Sequence, residues 1–217
     1  MASFGVNQAD QYGGQGGGGY FSLKNDGDVA KVRFLYNGIE NVIGYSVHEV
    51  EVNGKKRYAN CLRNYGDAVD ACPLCASGSP VRVKYFIPLY KIDDDSIVTW
   101  ERGKNFGQKL TSLCARYPNL VSHRFEIERH GQAGSKDTIY EIYEVGQDGD
   151  ITMEDFEVED PMGGIILDKS AGELEAFVRT GRFPDVNDGG NNNQLPRRTS
   201  TEARRTPNGG EGRRPVF

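Results

Sequence analysis

Four residues at fixed spacing constrain this chain most. His48, Cys61, Cys72 and Cys75 read H-x12-C-x10-C-x2-C. Cys72-Pro73-Leu74-Cys75 is a CxxC in a turn-prone context, which lets two thiolates face one ion. Asn53-Gly54, the strongest short hairpin signal, lies between Tyr45–Val52 and Lys55–Cys61 and brings His48 beside Cys61. Soft thiolates with a borderline imidazole suit zinc, and four protein ligands leave no open position, so the zinc is expected to be structural. Two plainer readings compete. A redox CxxC expects a βαβ context, which does not surround this one. A disulfide from Cys61 expects an oxidising compartment, yet Met1 to Asp10 has neither a basic n-region nor an apolar h-region. The fourth cysteine, Cys114, sits at a core-facing helical spacing and reads as a small buried hydrophobe.

The rest of the chain divides by charge. Its 217 residues carry a formal net charge of −5 and 28 Gly, with a mean hydropathy of −0.60. No run of about 18 apolar residues marks a membrane span. Residues 1–19 hold 7 Gly and one charge and read as a flexible arm. Residues 20–140 have net charge +3, residues 141–186 net −10, and residues 187–217, with 6 Arg, net +3. The last segment, rich in Asn, Gly and Pro, is expected to be a disordered tail. The overall negative charge argues against a nucleic-acid partner only until it is divided this way.

Strand signals dominate the middle. Val29–Tyr36, Tyr45–Val52, Lys55–Cys61, Val81–Lys91, Ser96–Arg102, Val121–Arg129 and Thr138–Val145 alternate or carry hairpin signals. A helix is predicted over Lys104–Tyr117, on Phe106, Leu110, Leu113 and Tyr117, and is stopped by Pro118. A second follows Ser170, where Glu173 completes a capping box, Leu174, Phe177 and Val178 form the apolar stripe, and Gly181 ends it. Short strands with one interposed helix fit an all-β fold with minor α, either an OB-type β-barrel or a β-sandwich.

Aromatic and basic residues alternate on several of these strands. On the polar side of Val81–Lys91 lie Arg82, Lys84, Phe86 and Tyr90. The next strand adds Trp100, Arg102 and then Lys104. The hairpin adds Lys55, Lys56, Arg57 and Tyr58, followed by Arg63, and Arg33 joins from the first strand. Rings offer stacking worth about 1–3 kcal/mol per base, and cations track phosphates. A solvated charged face is the plain reading for any one residue, but three segments share the pairing. No phosphate-binding Walker loop, nucleophile elbow or acid/base pair appears, and non-enzymatic, sequence-independent single-strand binding fits better.

The ligand spacing of His48, Cys61, Cys72 and Cys75, with the stretch Ser96–Phe106 (SIVTWERGKNF), resembles the zinc-containing, helix-destabilising single-stranded-DNA-binding proteins of tailed bacteriophages. The resemblance covers about residues 20–145. It implies an OB-fold core with an inserted zinc subdomain at about 45–78, Trp100 as a base-stacking ring, and roles in phage DNA replication, recombination and repair in the cytoplasm of the infected bacterium. The basic N-terminal cooperativity motif of that family is missing here, and a Gly-rich arm stands in its place. The tail, ending Arg213-Arg214-Pro215-Val216-Phe217, is Arg-rich instead of acidic, and is a candidate contact for replication or recombination proteins. The acids lie inside, at 141–160. That stretch either presents a solvated acidic face or shields the basic groove, and residues 146–186 are expected to form an acidic segment plus a short helix. A zinc-ribbon module that docks on another protein is the alternative function.

Overall fold

Alternation in the sequence becomes eight strands. The computed structural model describes residues 19–135 and 137–184, so the arm (save Gly19) and the Arg-rich tail lie outside the described residues. The strands are β1 (Val29–Phe34), β2 (Gly44–Val52), β3 (Lys55–Asn60), β4 (Val81–Lys91), β5 (Ser96–Gly103), β6 (His123–His130), β7 (Ile139–Gln147) and β8 (Ile166–Leu167). Among the described residues three short α-helices accompany them: α1 (Pro73–Ala76), α2 (Gly107–Arg116) and α3 (Ala171–Thr180). Asn53 and Gly54 have φ of 53° and 73°, the paired left-handed conformation of a type I′ turn, and this turn joins β2 to β3.

The sheet order is β7-β6-β1-β4-β2-β3-β8, with β5 on β4. One edge of β4 is shared: Leu89 pairs with Phe34 of β1, while Val81 pairs with His48 of β2. The other edge takes β5 along most of its length. β3 and β8 run parallel, which makes the sheet mixed. Among the described residues β5 and β7 exchange no backbone pairing, so the sheet is open. It is nevertheless curled, because the Trp100 and Tyr140 rings of these two strands meet at 5.3 Å.

The core has three parts. Val32, Phe34, Ile87, Leu89, Trp100, Phe125 and Ile127 fill the inside of the curl, closed by Leu110 and Leu113 of α2. Val50, Ala59, Leu74, Leu174 and Phe183 pack around Cys72 and Cys75. Val47, Phe86 and Ile166 form a thin layer on the outer face of β2 and β4. The acidic segment belongs to this same compact unit. It ties Asp148 to Arg33, sets Phe156 on Tyr90 at 5.0 Å, and returns through β8 to α3.

α3 begins and ends where the sequence places its caps. The Ser170 side chain accepts from the Glu173 amide in a reciprocal capping box, and Gly181 closes the helix with φ 73°. Leu174 is buried, but Val178 is 45% exposed, because the helix buries a narrower stripe than expected. Bonds from Lys169 and then Ser170 hold the Glu173 carboxyl down at about 2. The stabilisation this provides is present above the ordinary carboxylate range and is lost as pH falls from about 5 toward 2. Ser170→Ala is expected to cost about 1 kcal/mol, read by urea unfolding at pH 7. An unchanged midpoint would show that the cap does not hold this helix.

A candidate metal centre and a basic cleft

The β2–β3 hairpin sets His48 opposite Ala59. The chain then bends so that the Cys61 amide donates to the Ser46 carbonyl at 3.0 Å. Cys72 is the N-cap of α1, with Pro73 at the first helical position, where its fixed φ suits the turn. Amides of Ala76, Ser77, Gly78 and Ser79 bond back to the carbonyls of Cys72, Pro73, Cys75 and Leu74. This knuckle faces both sulfurs inward. The ligand atoms of His48, Cys61, Cys72 and Cys75 all lie within 4.8 Å of one another. Sγ of Cys61 and Cys75 are 3.7 Å apart. His48 Nε2 is 3.6 Å from Cys72 Sγ and 3.5 Å from Cys75 Sγ.

These spacings match the chemistry. A tetrahedral ion with bonds of about 2.3 Å to sulfur and 2.0–2.1 Å to nitrogen separates two sulfurs by about 3.8 Å and sulfur from nitrogen by about 3.5 Å. His48 Nδ1 lies 3.2 Å from Ser79 Oγ, which fixes the ring with Nε2 toward the sulfurs. Burial lowers the His48 pKa, favouring the neutral ring a metal needs. Burial opposes ionisation of Cys72, but amides of Cys75, Leu62 and Leu74 outweigh it and lower its pKa. Burial and then the neighbouring Cys61 and Cys72 thiols push Cys75 up to about 12. Three crowded thiols resist joint ionisation, and a cation among them removes that resistance. The four residues can therefore hold a metal ion, and their donor set is compatible with one zinc. Cys114 is half-buried against the main core.

The residues expected to meet DNA do not share one face. Arg82, Lys84, Arg102 and Lys104 line one cleft of about 920 Å³, together with Lys109, Phe106, Ile139 and Tyr140. No carboxylate lines it among the described residues. Lys55, Lys56 and Arg57 stand exposed on the hairpin, where Lys56 pairs with Glu49 at 3.0 Å and Arg57 donates to the Gly164 carbonyl at 3.1 Å. Arg63 lies close enough to His48 to lower its pKa. Tyr58 donates to Glu101 at 2.7 Å and Tyr90 to Asp95 at 2.7 Å.

Three expectations about the exposed face need correction. Trp100 is 1% exposed: Trp100 pairs with Ile87 in register and so shares the inner face of the curl, where no base can stack on it. Phe86 is 4% exposed, covered by Ile166 and its neighbours from the returning chain. Arg33 is 6% exposed; its guanidinium donates to the Val121 and Ser122 carbonyls and pairs with Asp148. The acidic segment does not line the basic cleft. Its residues Glu157, Glu159 and Asp160 lie beside Pro88, Ile97 and Thr99 on the outer face of β4 and β5 and cover the neighbourhood of Tyr90, while Glu141 at its start acts on Lys109 of the cleft.

Sequence reasoning missed Lys109 and Tyr140 and placed Phe106 in the core stripe. Lys109 was legible as the polar side of the predicted helix. Tyr140 arrives from a strand distant in sequence and carried no signal of its own. The chain matches no family model and no curated protein.

Proposed function

We propose that the protein binds single-stranded DNA without sequence preference through the basic cleft, and that one zinc held by His48, Cys61, Cys72 and Cys75 is structural. The observation that carries the reading is the cleft itself. Five cations, Arg82, Lys84, Arg102, Lys104 and Lys109, converge on an opening with Phe106 and Tyr140 and no acid in its lining. Cations track a phosphate backbone and rings accept bases. The curl of the sheet, with α2 closing one end, supports reading it as an open variant of the OB-type barrel. Zinc would act through β2, which pairs with the Val81–Tyr85 half of β4 and so supports Arg82 and Lys84.

The resemblance to phage helix-destabilising proteins supports a place in DNA replication, recombination and repair in the cytoplasm of the infected host, with partner proteins met through the Arg-rich tail. The reading assigns no enzymatic step. The alternative, a zinc ribbon presented to another protein, has less support, because Leu174, Phe177 and Phe183 pack on the knuckle and occupy the surface such a partner would need.

Fluorescence anisotropy of a labelled oligo-dT tests the proposal. Binding at about 50 mM salt should weaken steeply with added salt, each phosphate contact contributing about 0.7 to the logarithmic slope. Zinc-loaded protein that leaves the oligonucleotide free at that salt would overturn it.

A further inference from the structure

We infer that Arg102, with Lys104 and Lys109, forms a phosphate-binding subsite at the mouth of the cleft, its guanidinium set in the corner where the Trp100 and Tyr140 rings meet. The inference rests on the single-strand reading and names the groups that grip the backbone. The guanidinium carbon lies 4.2 Å from the Trp100 ring centroid and 4.0 Å from that of Tyr140, with Phe106 at 5.9 Å. The two ring centroids are 5.3 Å apart with their planes at 76°, so the rings flank the guanidinium from two directions roughly at right angles and restrict its rotamers before any ligand arrives. Its fork of N–H donors matches the two oxygens of a phosphate.

The surrounding charge has the same preference. Lys109 Nζ lies 6.0 Å from the Phe106 centroid and donates to the Tyr140 carbonyl, which brings it to the same corner. Among the described residues no carboxylate is within ion-pair distance of Arg102, Lys104 or Lys109, whereas Lys84 is paired with Glu101. Nε of Arg102 is shielded from solvent and has no hydrogen-bond partner. Burial lowers the Lys109 pKa, the nearby Glu141 opposes this, and Arg102 adds a smaller repulsion, which places Lys109 and Arg102 within reach of one another. The buried Trp100 thus has a part that a stacking ring would not have: it is the floor on which the arginine lies, and as the only Trp in the chain it reports on that arginine.

The test compares Arg102→Ala, Arg102→Lys and Lys109→Gln with the parent protein, in oligo-dT anisotropy from about 50 to 300 mM salt and in Trp100 emission. Arg102→Ala should weaken binding about tenfold at the low end and lower the salt slope by about 0.7. Arg102→Lys should keep the slope but recover only part of the affinity, because an ammonium offers no fork. Lys109→Gln should lower the slope with the fold intact, and decides the matter if Arg102→Ala does not fold. Inorganic phosphate and dTMP separate the sources of the ligand: emission changes with either mean that free phosphate suffices, and changes with oligo-dT alone mean that the strand is required. If the parent protein ignores oligo-dT, the functional reading fails. If it binds, and Arg102→Ala (or, where that does not fold, Lys109→Gln) keeps the parent slope, or no phosphate ligand alters Trp100 emission, the subsite is overturned while the reading stands.

Discussion

Stripping the metal, or replacing Cys75 with Ser, will melt the hairpin, the knuckle and α3 while leaving the curled sheet around Trp100 folded. Structural zinc in small domains contributes on the order of 10–16 kcal/mol, more than the whole stability of most domains. The layer around Cys72 and Cys75 has few large side chains to replace it: Leu74, Leu174 and Phe183 are its largest buried residues. The main core shares no residue with that layer. Within residues 20–184, limited trypsin digestion after chelation should therefore cut first within 55–63 and 169–182, with Trp100 emission unchanged. DNA affinity should fall as well, with the salt slope reduced by about 1.4 if the Arg82 and Lys84 contacts are both lost. A chelated protein as protease-resistant as the untreated one would show that the four ligands hold no stabilising ion.

Arg33→Ala should be the second large effect, and it should appear in stability instead of binding. The Arg33 guanidinium reaches two backbone carbonyls, of Val121 and Ser122, and the Asp148 carboxylate. Alanine would take the Arg33 donor from the Val121 carbonyl and unpair the Asp148 carboxylate, while the Ser122 carbonyl keeps its bond from the Asp148 amide, a loss of about 2–3 kcal/mol. Urea unfolding measures it, and oligo-dT affinity of the folded variant should stay within about twofold of the parent, since one phosphate contact would shift it further. A stable variant with weakened DNA binding would return Arg33 to the DNA face. The Arg33 bond holds the Asp148 carboxyl below its usual range, and Arg124 adds to this. That contribution is therefore complete at neutral pH and fades only as acid protonates Asp148.

Arg33 also shows where the sequence was readable. Period-two alternation placed the strands to within a few residues, because a half-buried strand must write its two faces into its side chains. The same rule misassigned Arg33, which lies at a position where both sides of β1 are covered, one by the core and the other by the turn before β6. The metal ligands were legible because their spacing is local and the Asn53-Gly54 turn fixes which of them meet. The cleft was half legible. Arg82, Lys84, Arg102 and Lys104 come from neighbouring strands, but Tyr140 joins them only through the curl of the sheet, which no local pattern encodes. Phe86 and Trp100 were misread because nothing in their own strands announces what covers them: a two-residue strand from residue 166 over one, and the inside of the curl around the other.

The parallel pairing of Tyr58 with Ile166 joins residues more than a hundred positions apart and sets a schedule for the newborn chain. When β2 and β4 leave the ribosome, the segment that will cover Val47 and Phe86 has not been made. At about 5–20 residues per second, that face waits on the order of ten seconds for its lid. The knuckle ligands, all made by residue 75, can gather their ion within that interval and hold the hairpin still until its last strand arrives.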